Sequence, residues 1–174
     1  MKTGGSPLSR RRRTILKWSL FLVVVAVAVA VDLVTKDLAE QHLVLGESQK
    51  VLPFLYLERT ANSGVAFGLL GGRTAVIVVA NVIALLIVGA YVFLEPRAVL
   101  AGLAGGMVVG GSLGNLIQRL TDDGHVTDFL KFPHWPNFNM ADVFIDVGIA
   151  VVVLGLLVDA VRVWRAGRRT PTSQ

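Results

Sequence analysis

Asp128 and Asp142 are the pair of side chains in this chain best suited to acid–base work, separated by one short loop. Other chemistries fall away quickly. There is no cysteine, which excludes a thiol nucleophile, a disulfide framework and a thiolate metal site. His42, His125 and His134 are scattered and form no ligand pattern such as H-E-x-x-H. Gly110-Gly111-Ser112-Leu113-Gly114 matches G-x-S-x-G literally. That motif works on a strand–turn–helix elbow, whereas here it lies inside a glycine-rich apolar run. Carboxylate chemistry remains. Two carboxyls brought close together cannot both ionise readily, so they share a proton. The ionised partner then takes a proton from water while the protonated one polarises a carbonyl.

The elements that must position this pair are membrane spans. Of the 174 residues, 53% are hydrophobic and 17% charged, and the mean hydropathy is +0.64. A soluble domain is usually ~45–50% apolar and ~25% charged. A spanning helix needs ~20 mainly apolar residues, and four stretches qualify: Ile15–Val34, Thr74–Leu94, Ala98–Ile117 and Val143–Val161. The net charge of +5 is spread unevenly. Lys2, Arg10–Arg13 and Lys17 precede or open the first span, Arg97 lies between the second and third, and Arg162, Arg165, Arg168 and Arg169 follow the fourth. An even span count puts all of these on one side, so both termini are expected in the cytoplasm. The Arg-rich start and Ala28-Val29-Ala30 also resemble a cleavable secretory signal. Cleavage would break the charge parity, so the first helix is expected to stay. The expected organisation is a basic tail over 1–14, a four-span domain over 15–161 and a second basic tail over 162–174. The outer loops fall at about 35–73 and 118–142.

Ser48–Arg59 reads as an extended segment broken at Pro53, suited to a small sheet on the membrane surface. Pro133, Trp135 and Pro136 predict an irregular second loop. Gly102, Gly106, Gly110 and Gly114 recur every four residues, the small-xxx-small pattern that lets two helices approach closely. The polar residues Asp32, Lys36, Asn62, Asn115, Gln118, Arg119, Asp128, Asn139 and Asp142 all fall near one membrane face. Singly, each reads as an anchor or a cap: Asn139 suits the N-cap of the fourth span and Asp142 its first turn. Together they form a candidate site, because ionisable groups at the edge of hydrocarbon are costly. An alternative of another class is a small proton-coupled carrier with Asp142 and Asp146 as relay. The fourth span offers only apolar residues and glycine between Asp146 and Asp159, which leaves such a relay broken.

The motifs resemble those of the bacterial lipoprotein signal peptidases, or signal peptidases II. The matching blocks are Asp32-Leu33-Val34-Thr35-Lys36, Asn62-Ser63-Gly64-Val65-Ala66-Phe67-Gly68, Gly110–Asn115, Val126-Thr127-Asp128-Phe129, and Phe138-Asn139-Met140-Ala141-Asp142 with Ile145 and Gly148. The resemblance implies an all-α four-helix membrane bundle with a small extracytoplasmic β-sheet, in the inner membrane. It implies an aspartic endopeptidase that cuts prolipoproteins just before a diacylglyceryl-modified cysteine, with no cofactor or metal. Globomycin-type cyclic peptides are the inhibitors it implies. By motif, Asp128 and Asp142 are the catalytic dyad. Asp32, Lys36, Asn62, Gly64, Asn115, Arg119, Asn139 and Ala141 are supporting or substrate-binding residues. One position departs: Gln118 stands where the family pattern has an aspartate, which would pair with a nearby cation.

Overall fold

The computed structural model describes residues 7–64 and 74–168. Four helices, α1 (Pro7–His42), α2 (Thr74–Leu94), α3 (Ala98–Thr121) and α4 (Met140–Gly167), are each long and apolar enough to cross a bilayer. Between them lie β1 (Ser48–Leu52), β2 (Leu55–Asn62) and β3 (Val126–Lys131). The second helix has the bounds expected for its span, and the others outrun theirs. At ~1.5 Å per residue, the 36 residues of α1 reach well beyond the ~30 Å hydrocarbon core. Hydropathy marks only the part in lipid, whereas Lys36, Asp37, Leu38, Ala39 and Glu40 carry the helix onward without a proline or glycine to stop it.

The third helix is the hub, with 61% of its most apolar window buried against 11% for each of the other three. Lipid tails are as apolar as leucine, so close packing rather than water exclusion drives helix association here. Glycine supplies the closeness. A Cβ on Gly106 would sit 2.8 Å from Cβ of Val24, and one on Gly110 would sit 2.6 Å from Cβ of Ala28. The stripe is therefore the seam between α3 and α1, and it ends where Gly114 meets the Asp32 carboxylate. Gly111, on another face of α3, abuts Ala141 and Ile145 of α4. Gly148 of α4 packs in turn on Ala104 and Val108 of α3.

The three strands form one antiparallel sheet in the order β1-β2-β3. Pro53 and Phe54 make the turn between β1 and β2, so the proline that breaks the extended segment is a hairpin corner. The second loop differs from expectation. Its first half is not irregular: Val126–Lys131 pairs with β2, with Asp128 opposite Thr60 and Thr127 opposite Ala61. The prolines mark only the stretch after Lys131, which turns at His134 (φ 62°) and returns to bridge Phe138 to Leu130. The loop boundary at 118 also moves, because Gln118 and Arg119 belong to the last turn of α3.

Candidate active site

The fourth helix opens with a reciprocal cap. The backbone N–H of Asp142 donates to Oδ1 of Asn139, and the N–H of Asn139 donates to Oδ2 of Asp142, both at 3.1 Å. The anchor reading and the chemical reading of these residues thus coincide, because the same cap presents a carboxylate at a helix N-terminus. Oδ1 of Asn139 faces an N–H, so its Nδ2 is left to donate to Oδ1 of Asp128 at 2.7 Å. One buried asparagine bonds both aspartates. Asp128 comes from β3, and pairing with β2 carries in Asn62, whose Nδ2 donates to the other carboxylate oxygen at 2.9 Å.

Behind Asp142 the network continues into the bundle. Nδ2 of Asn115 donates to Oδ1 of Asp142 at 2.9 Å, and Oδ1 of Asn115 accepts from the Lys36 ammonium at 2.7 Å. Lys36 also binds Oδ2 of Asp32 at 2.7 Å, one helical turn away on α1. Oδ1 of Asp32 accepts the N–H of Ala141 at 2.8 Å, returning the chain to the first turn of α4. Each amide has a single-sign partner on one side, an ammonium for Asn115 and an N–H for Asn62 and Asn139, so its orientation is fixed chemically. Asp32 and Lys36 are 0% and 2% exposed, a buried ion pair that becomes expensive when halved.

Both aspartates open onto a cleft of about 360 Å³, shared with Asn62, Gly64, Asn115, Arg119 and Asn139. Asp128 is 2% exposed. Burial, and after it the charge of Asp142, pushes its carboxyl up to about 6, against the opposing pull of the Asn62 and Asn139 bonds. Arg119 donates from Nη2 to the Gly64 carbonyl at 3.0 Å, while its buried Nε has no partner among the described residues. Asp146, one turn after Asp142, is exposed on the cleft wall. All ten residues singled out by motif therefore meet at this end of the bundle. Ala141 contributes its backbone N–H, and Gly64 its carbonyl and the N–H that donates to Asn62. Val65, Ala66, Phe67 and Gly68 of the second motif lie outside the described residues.

Gln118 has a different partner from the cation expected for an aspartate in its place. Its Nε2 donates to Oε1 of Glu40 at 2.8 Å and to the Thr127 hydroxyl at 3.0 Å, and its Oε1 accepts the Thr127 N–H at 2.9 Å. Thr127 also donates its hydroxyl to Glu40 at 2.5 Å. This knot ties α1, α3 and β3 together one residue before Asp128. Glu40 and Thr127 were not singled out from the sequence. The available signal was spacing, since Asp32, Lys36 and Glu40 recur every four residues on one face of α1. Ile77 and Asn81 of α2 also line the cleft; Asn81 stands out in the sequence as the one strongly polar side chain of its span, whereas Ile77 carries no such signal.

The family model for signal peptidase (SPase) II matches residues 24–158, most of the chain and every element of this network. The chain belongs to the signal peptidase II family. It is a multi-pass membrane peptidase, and the carrier alternative finds no support. It is 38% identical over 142 residues to the lipoprotein signal peptidase of Moorella thermoacetica, covering 80% of this chain and 94% of that one. The lipoprotein signal peptidase of Mesorhizobium japonicum is 39% identical over 151 residues, covering 81% and 87%. A solved bacterial membrane enzyme structure superposes with a TM-score of 0.75 at 27% identity, covering 80% of this chain and 88% of that one. As a signal peptidase II, the chain is a hydrolase whose fold of four spans and a small sheet is that of its solved neighbours.

Proposed function

We propose that this peptidase removes the signal peptide from bacterial prolipoproteins by aspartic chemistry, cutting just before the diacylglyceryl-modified cysteine, with Asp128 and Asp142 as the dyad. The observation that carries the reading is Asn139, which bonds both carboxylates at the mouth of one cleft. Asp142 accepts N–H donors at the head of α4, with a lysine behind Asn115, and is the member assigned the role of base. Asp128, buried on β3 with its carboxyl near 6, is the member that keeps the shared proton. Asp142 takes a proton from water as the water oxygen bonds to the scissile carbonyl carbon, and Asp128 gives its proton to the carbonyl oxygen. The tetrahedral intermediate then breaks its C–N bond as Asp142 passes its proton to the leaving nitrogen and Asp128 takes back the hydroxyl proton, which re-forms the carbonyl and restores the one-proton state.

In this reading Asp32 and Lys36 act through Asn115 and Ala141, as positioning residues. Asn62, Gly64 and Asn139 hold Asp128, and the unpartnered Nε of Arg119 offers a donor to a substrate carbonyl. The diacylglyceryl group lies in the bilayer beside the cleft, where exposed apolar side chains of the spans meet lipid. Globomycin-type cyclic peptides compete for the same cleft. Both basic tails, 1–14 and 162–174, lie in the cytoplasm and the cleft on the opposite face of the inner membrane, a reading that the charge asymmetry supports.

The test is incubation of the purified chain with a diacylglyceryl-modified prolipoprotein, followed by detection of the released signal peptide. Cleavage is expected, and it should disappear in Asp128→Asn and in Asp142→Asn. Either variant retaining more than about 1% of the parent rate would exceed what loss of a ~10²–10⁴-fold acid–base contribution leaves, and would remove that residue from the dyad.

A further inference from the structure

At the end of the bundle away from the aspartates, two hollows share a wall. The first, about 340 Å³, is lined by Arg10, Arg13 and Lys17 of α1 and by Pro96 and Ala98 at the α2–α3 turn. The second shares Arg13, Pro96 and Ala98 with it and continues along Leu100, Leu103 and Val151, between α3 and α4. One hollow is cationic, and the other is apolar.

The charges at this end are unevenly satisfied. The Lys17 ammonium donates to the carbonyls of Val92, Phe93 and Glu95 at 2.8, 3.2 and 3.1 Å, closing the C-terminus of α2. Glu95 and Asp159 are both engaged by Arg97, at 2.8 and 3.0 Å. Among the described residues no carboxylate pairs with Arg10 or Arg13, which lie one turn apart on the same face of α1. Arg97 is the N-cap of α3 without a side-chain capping bond, so the positive end of that helix faces the same hollow at Ala98.

The geometry points to a binding site for one anionic phospholipid. Its phosphodiester sits between the Arg10 and Arg13 guanidiniums, and an acyl chain follows the groove along Leu100, Leu103 and Val151. Guanidinium is the side chain that best matches phosphate oxygens. Basic pockets between membrane helices recognise acidic headgroups in this way. A free phosphate would leave the adjoining apolar groove unused. A choline or ethanolamine headgroup would bring a cation to a hollow that offers it no free carboxylate.

The test titrates the purified full chain in neutral detergent with phosphatidylglycerol, phosphatidylcholine or inorganic phosphate, reading the thermal unfolding midpoint. Phosphatidylglycerol is expected to raise the midpoint at far lower mole fraction than phosphatidylcholine, and phosphate alone to leave it unchanged. Arg10→Gln with Arg13→Gln should weaken the apparent phosphatidylglycerol affinity about thirtyfold, from ~1 kcal/mol per basic residue near an anionic lipid surface. Arg11→Gln with Arg12→Gln removes the same charge from the same helix outside both hollows and should weaken it less than about threefold. Cleavage in phosphatidylcholine micelles checks that both variants are folded. Equal losses in the two variants would mean diffuse attraction and overturn the site. An equal response to phosphatidylcholine would overturn headgroup recognition, and a full response to phosphate alone would overturn the lipid assignment.

Discussion

At the aspartate end, Asp32, Lys36, Asp128 and Asn139 are at most 2% exposed, and each is bound to at least two other groups of one closed network. At the opposite end, Arg10, Arg11, Arg12 and Arg13 are exposed and no described carboxylate pairs with any of them. The same side-chain classes therefore have different consequences. A buried charge holds its neighbours in place because leaving any one of them unpaired is costly. An exposed charge keeps its water, costs little, and remains available to a ligand from outside.

The sharpest contrast comes from single neutralisations. Asp128→Asn should lower cleavage by at least 10²-fold, whereas Arg12→Gln should leave it unchanged in the same assay. Comparable losses would erase the distinction between the ends. Next in size is Lys36→Met, which strands the Asp32 carboxylate and frees Asn115. Breaking a buried pair in this way should cost ~3–5 kcal/mol in unfolding measurements. Adding Asp32→Asn should recover part of that loss, and no recovery would mean that Lys36 acts by packing alone.

The third test is pH. The dyad needs one proton, and the Asp128 carboxyl sits near 6, so kcat/KM should fall about tenfold per unit as pH rises beyond that value. A flat profile from pH 6 to 8 would detach the shared proton from Asp128. The same upward shift has a stability sign. Folded Asp128 still holds a proton that the unfolded chain releases near pH 4, so native stability falls as pH rises from about 4 to about 6.

Smaller again is Gln118→Glu. It keeps an acceptor for the Thr127 N–H but sets a second carboxylate against Glu40, now 2.8 Å from the amide nitrogen. A cost of ~1–3 kcal/mol in stability is expected, as for a buried polar group left unsatisfied. Glu40→Gln should rescue the variant, and failure of that rescue would show that like charge is not the cause. Smallest of all, Arg162→Gln removes the pair with Asp159, at 3.6 Å with the arginine 73% exposed. Its effect on thermal unfolding should stay under ~0.5 kcal/mol. A larger loss would mean that the basic end is held more tightly than its exposure indicates.

The residues of α2 show how much was legible in advance. Its span, Thr74–Leu94, needed only a run of apolar side chains, because partition into hydrocarbon is a local property that sums residue by residue. The glycine period of four was equally plain, and it named the close face of α3 without naming α1 as the partner. The strand Val126–Lys131 was hidden by Pro133 and Pro136 just after it. Its pairing depends on β2, more than sixty positions earlier, and no local pattern carries that register.

For the candidate site the division is similar. The order of motifs, the pair of aspartates and the gathering of polar residues at one membrane face were determined by the sequence itself, because burying them in lipid is forbidden by desolvation. Only the tertiary structure decided that Asn139 joins the two carboxylates, that Lys36 reaches Asp142 through Asn115, and that Gln118 faces Glu40. Hydropathy tells a side chain which phase to occupy. A hydrogen bond also requires a partner at about 3 Å with the right donor and acceptor, and that is set only when strands and helices distant in the chain are packed together.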